Sequence, residues 1–183
     1  SGNDEKAADI AFNPVAGEYL MVYEYDASGT GTNWDIYGQR LDEDSNKIGN
    51  AFAILSSATH ETKPQVAYNS TAGEYMIVAE FDSDGAGLAQ IRGQRVSSGG
   101  AITGTPIGIL STNNSQNAPS IVYNPDNNEY MVGFENDYLQ DGKLDILRVV
   151  LDGSGVPLFG KYNQLESYHH KNIRLDYNAA HNE

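Results

Sequence analysis

The chain has 183 residues, 39% hydrophobic and 10% aromatic, with 25 acidic against 11 basic side chains and a formal net charge of -14. That is long enough for one domain with a real core, and too acidic for a partner with a phosphate backbone, so nucleic acid is not an expected partner. No apolar run is long enough to span a bilayer, and the absence of cysteine removes disulfides and thiolate metal sites.

In chain order, Asp9-Ile10-Ala11-Phe12-Asn13 comes first, followed by Glu18-Tyr19-Leu20-Met21-Val22-Tyr23-Glu24. The pair returns as Gln65-Val66-Ala67-Tyr68-Asn69 with Glu74-Tyr75-Met76-Ile77-Val78-Ala79-Glu80, and again as Ser120-Ile121-Val122-Tyr123-Asn124 with Glu129-Tyr130-Met131-Val132-Gly133-Phe134-Glu135. A fourth copy begins at Arg174-Leu175-Asp176-Tyr177-Asn178. The aromatic-Asn pairs are spaced by 56, 55 and 54 residues, a period that belongs to blades or solenoid coils. Short β-branched and aromatic runs broken by Gly, Asn and Asp exclude helical repeats.

The second unit is predicted to hold four strands, over residues 65–69, 74–82, 90–97 and 105–111. Its links, including Ser70-Thr71-Ala72-Gly73 and Ser98-Gly99-Gly100, are short enough to join only antiparallel neighbours. The first unit repeats this with third and fourth strands at 35–41 and 51–55. In the third unit, residues 145–151 replace the Gly-Gln-Arg of Gly38-Gln39-Arg40 and Gly93-Gln94-Arg95. A lone meander buries neither face, so units must stack. The period is one meander long, whereas an immunoglobulin-like sandwich needs about seven strands in roughly 100 residues. The expected fold is therefore all-β: a β-propeller-type array of four-stranded antiparallel blades, three blades plus one extra strand. Blade 1 is placed at 1–63, blade 2 at 64–118, blade 3 at 119–171, and the first strand of an incomplete fourth blade at 172–183.

The run from Asp35-Ile36-Tyr37-Gly38-Gln39-Arg40-Leu41 to Lys47-Ile48-Gly49, preceded by Glu18-Tyr19-Leu20-Met21-Val22-Tyr23-Glu24, resembles a repeat of bacterial and archaeal secreted and surface proteins. In that family an apolar strand leads through an acidic glycine-rich loop to an Ile-Tyr-Ala/Gly-Gln-Arg strand. The resemblance covers three units, loosely in the third. It implies propeller-like blades in adhesion or display proteins, some beside calcium-binding repeats, and it transfers no catalytic residue.

Function in a repeat protein is expected where the units differ. The variable second position of the first strand, held by Asp9, Gln65, Ser120 and Arg174, is the candidate ligand-binding column lining a central channel. Trp34 is a candidate platform for a sugar ring. The loops between second and third strands are acidic, and Asp82, Asp84, Asp137 and Asp141 are the candidate calcium ligands. The repeated Glu24, Glu80 and Glu135 are expected to pair across strands with Arg40 and Arg95. Neither His60 nor the sequence-adjacent His169 and His170 shows metal-ligand spacing.

These features predict an extracellular or cell-surface, non-enzymatic structural or recognition module. It would need no cofactor beyond possible calcium, and its partners would be further blades or other copies paired through the extra strand. The alternative is a glycan-binding or glycan-processing propeller with its site in the channel.

Overall fold

Each repeat folds as one antiparallel sheet. The computed structural model describes residues 4–82, 88–112, 114–136, 144–165 and 173–181. The first sheet holds β1 (Glu5–Asn13), β2 (Glu18–Tyr25), β3 (Asp35–Leu41) and β4 (Lys47–Leu55). The second holds β5 (Glu61–Asn69), β6 (Glu74–Asp82), β7 (Ala89–Ser97) and β8 (Ile102–Gly108). The third holds β9 (Gln116–Asn124), β10 (Glu129–Asn136), β11 (Asp145–Asp152) and β12 (Pro157–Leu165). Spatial order follows chain order in every sheet. No helix long and apolar enough to cross a membrane occurs among the described residues.

The recurrent aromatic-Asn pair turns out to be a hairpin device. Asn13 Oδ1 accepts the backbone N–H of Val15 and Ala16 at 3.0 and 3.2 Å. Asn69 does the same for Thr71 and Ala72 at 2.9 and 2.8 Å, and Asn124 for Asp126 and Asn127 at 3.0 and 3.2 Å. Such local side-chain bonds compete with the ladder and turn the chain back on itself.

The Gly-Gln-Arg signature also has a packing cause. A Cβ on Gly38 would come within 2.8 Å of Ile54 Cδ1 and 3.0 Å of Phe52 Cζ, so these outer-strand side chains pack directly over the glycine. Gln39 and Gln94 reach across to the fourth strand, donating to Ile48 O at 3.3 Å and Thr103 O at 3.0 Å.

The first strands begin earlier than the pattern suggests, because each passes through a bulge. Ala7, Lys63 and Ala118 share one column of the repeat and carry φ of 48°, 52° and 49°. The register of each first strand slips there. A bulge of this kind kinks the strand and leaves an N–H free for a partner outside the ladder.

Two apolar layers hold the sheets together. Leu20, Val22, Ile36 and Ile54 of the first sheet pack against Val66, Tyr75, Ile77 and Ala79 of the second. Met76, Val78, Ile91 and Ile109 on its other face pack against Tyr130, Val132, Phe134 and Leu147 of the third. Ile10 and Phe12 of β1 are 51% and 46% exposed, whereas Val66 and Ile121, in the Ile10 column, are covered by the preceding blade.

The expected extra strand makes no sheet ladder among the described residues. It nevertheless lies where a fourth blade would begin. Leu175 N–H donates to Ser120 Oγ at 3.0 Å, just as Val66 N–H donates to Asp9 Oδ2 at 2.9 Å two junctions earlier.

Candidate functional site on the inner strands

β1, β5 and β9 lie side by side, so the first strands form the inner edge of the stack. The bulges of β5 and β9 are held from the preceding blade. Glu24 accepts the Lys63 N–H at 2.8 Å and Glu80 accepts the Ala118 N–H at 2.6 Å. The same carboxylates take Lys6 Nζ at 3.3 Å and Lys63 Nζ at 2.8 Å. The expected pairing of Glu24 and Glu80 with Arg40 and Arg95 is therefore corrected. In the observed register Glu24 faces Ile36 and Arg40 faces Leu20. Arg40 pairs instead with Glu18 at 2.6 Å, and Arg95 with Glu74 at 3.1 Å.

At the bulge end of the inner strands Lys63, Gln65, Glu135 and Arg174, with Pro64 and Pro119, line a cleft of about 330 Å³. Two of the four predicted channel residues are thus brought together, Gln65 and Arg174. The other two turn into the junctions: Asp9 clamps Val66, and the buried Ser120 clamps Leu175. Glu135 was assigned only a pairing role by the sequence pattern, since it shares a column with Glu24 and Glu80. The signal that sets it apart is its position in the last complete blade.

Toward the hairpin end, the same strands form an apolar groove of about 450 Å³ walled by Phe12, Tyr68, Tyr123 and Tyr177, with Asp176. The inner face therefore runs from charged and amide groups to aromatic rings. Hydroxyl-rich ligands are held by that combination, with polar groups fixing hydroxyls and ring faces covering C–H surfaces.

Trp34 is placed elsewhere. It is buried, Lys6 Nζ lies 3.9 Å above its ring, and its carbonyl accepts the Glu61 N–H at 2.7 Å. Its indole face is occupied and offers no platform for a sugar.

Of the candidate calcium ligands, Asp84, Asp137 and Asp141 lie outside the described residues, as do His169 and His170. Asp82 ends β6, its N–H donating to His60 O at 3.1 Å. Asp26 occupies the same column one blade earlier and shows what such a residue does when its loop is described. Its carboxylate accepts the Ser28 hydroxyl at 2.6 Å, the Ser28 N–H at 2.9 Å, the Gly29 N–H at 3.0 Å and the Gly31 N–H. These donors, the Ser28 hydroxyl foremost, hold the Asp26 carboxyl below the usual carboxylate range. Among the described residues no three His, Asp or Glu side chains gather as a metal group.

The sequence matches no family model and no curated protein. Solved structures do share the fold. An N-acetylgalactosamine deacetylase from F. plautii, in complex with blood group B trisaccharide, aligns with a TM-score of 0.62 at 10% identity over 88% of this chain and 52% of its own. An alpha-L-arabinofuranosidase from Lactobacillus brevis aligns at 0.55 and 11%, covering 89% of this chain and 55% of its own. An endo-arabinase from Bacteroides thetaiotaomicron aligns at 0.53 and 16%, covering 88% and 62%. The chain thus spans little more than half the length of the proteins it resembles. The expectation of a non-enzymatic module is corrected by this comparison, because these structural neighbours are enzymes that act on carbohydrates. What the likeness establishes for this chain is the blade array itself, an all-β propeller-type fold.

Proposed function

We propose that the chain forms part of a glycan-binding or glycan-processing propeller whose site lies on the inner strands. The observation that carries this reading is the 330 Å³ cleft in which Lys63, Gln65, Glu135 and Arg174 converge from successive blades. An inert scaffold has no need to gather a carboxylate, two cations and an amide at its axis. The aromatic groove farther along the same strands, and the carbohydrate-directed enzymes that share the fold, favour the same substrate class. A glycan-directed site fits an extracellular or cell-surface location, and that is the location proposed for the chain. Further blades, from a longer chain or from other copies, would complete the ring against the exposed Ile10 and Phe12.

Affinity electrophoresis through gels containing a panel of neutral and acidic polysaccharides, with reducing-end release followed in parallel, tests the reading. The chain is expected to be retarded by at least one polysaccharide, less so as Phe12→Ala and Glu135→Gln. Free migration through every gel, without product, would sink it.

A further inference from the structure

The two junctions between blades use the same columns of the repeat and fill them differently. Between the second and third sheets, Gln116, Phe134, Leu147 and Val149 are all buried and apolar packing is continuous. In the corresponding columns between the first and second sheets stand Glu61, Ala79, Arg92 and Gln94. There the layer opens into a cleft of about 290 Å³ lined by Ser57, Glu61, Phe81, Arg92, Gln94 and Thr105.

Two groups in this cleft hold unused hydrogen-bonding capacity. Glu61 is 1% exposed, and its Oε2 has no partner. The Arg92 guanidinium stacks on the Phe81 ring at 3.3 Å and makes no hydrogen bond among the described residues. A buried acceptor and a planar five-donor fork left open in one cavity are costly unless something fills them.

We propose that this inter-blade cleft binds one neutral sugar ring, with neighbouring hydroxyls donating to Glu61 and accepting from Arg92. The charge pattern selects this ligand. An anion would meet the Glu61 carboxylate and a cation the Arg92 guanidinium, whereas a hydroxyl both donates and accepts. The volume sits near the lower end of small-molecule sites, about 300–1,000 Å³, which suits a single ring. The cleft is separate from the inner-strand site and does not depend on it.

Titration of the ¹⁵N-labelled chain with D-galactose, D-xylose and L-arabinose, followed at the Arg92 Nε–H and Gln94 amide resonances, tests the proposal. At least one sugar is expected to give saturable shifts. Arg92→Leu, which installs the residue of the neighbouring junction, is expected to weaken binding about tenfold or more, and Arg92→Lys less, because the planar fork is lost while the charge stays. Glu61→Gln should also weaken binding while the fold stays intact, as thermal melting will show. Gln65→Ala in the inner cleft should leave it unchanged, which separates this site from the channel reading. The proposal is overturned if none of the three sugars gives saturable shifts, if glycine or acetate saturates the resonances in their place, or if both Arg92 variants bind as the wild type does.

Discussion

The junction between blades two and three and the junction between blades one and two are built on one plan, and they differ at its polar hub. In the former, Gln116 is fully satisfied. Its Oε1 accepts the Ile91 N–H at 3.0 Å, while its Nε2 donates to Leu110 O at 2.7 Å and to Gln90 Oε1 at 3.1 Å. In the latter, Glu61 takes the place of Gln116 and Asp35 that of Gln90. Each carboxyl leaves a buried oxygen unpartnered, Glu61 Oε2 and Asp35 Oδ1. Burial pushes the Glu61 carboxyl above its ordinary value of 4.5, and the Asp35 charge adds to that, against hydrogen bonds from Ser57 and the attraction of Arg92. An amide closes a junction because it both donates and accepts. Two carboxylates in the same frame do neither for each other until one holds a proton.

The largest expected difference between the junctions is in their apolar layers. Phe134 is fully buried in the second core. Truncating it as Phe134→Ala is expected to cost about 3–5 kcal/mol in urea unfolding. Phe81, at the junction of the first and second sheets, borders the Glu61 cleft and carries Arg92 on its face, so Phe81→Ala should cost clearly less. Equal losses would mean that the first junction is as dry as the second.

Exchanging the hubs gives the next effect. Gln116→Glu removes the Nε2 donations and places a charge in a dry layer, with an expected cost of about 1–3 kcal/mol. Glu61→Gln runs the other way and should stabilise by about 1 kcal/mol at pH 7. The sign of the pH dependence follows from the raised Glu61 value. The folded state holds the proton more tightly than the unfolded chain, so the contribution of this group is complete below 4.5 and is lost as pH rises through the folded value. The advantage of Glu61→Gln over wild type should therefore shrink as pH falls from 7 toward 4.5. An advantage that stays constant across that range would show that Glu61 is not the group that titrates.

The repeat period, the three meanders and the antiparallel order were legible in the sequence, because turn chemistry and alternation are local. The aromatic-Asn pairs marked the period, whereas the bonds by which their Asn side chains close the hairpins, two and three residues on, emerged only with the fold. The bulges at Ala7, Lys63 and Ala118 were not legible. Those at Lys63 and Ala118 are held by carboxylates of the preceding blade, and no residue type in the first strand announces them. The partners of Glu24 and Glu80 were misassigned for the same reason, since repetition in a column says that a contact recurs and not whether it lies within a blade or between blades. The candidate site was half legible. The variable column singled out four residues of one position, and the side chain at each decides where it goes: the short acceptors Asp9 and Ser120 take an N–H of another first strand, whereas Gln65 and Arg174 line the cleft.

That division gives the smallest and most selective prediction. Asp9 ties the first blade to the Val66 N–H and Ser120 ties the third to the Leu175 N–H, whereas the amide of Gln65, in the same column, donates among the described residues only to the adjacent Pro64 O at 2.9 Å. Asp9→Ala and Ser120→Ala should each cost about 0.5–1.5 kcal/mol, and Gln65→Ala close to nothing, by chemical denaturation. Hydrogen exchange locates the loss: the Val66 amide should exchange faster in Asp9→Ala and the Leu175 amide in Ser120→Ala, each without change at the other. If both amides respond to either substitution, the blades move as one cooperative body, and the junctions cannot be tuned separately as their different hubs imply.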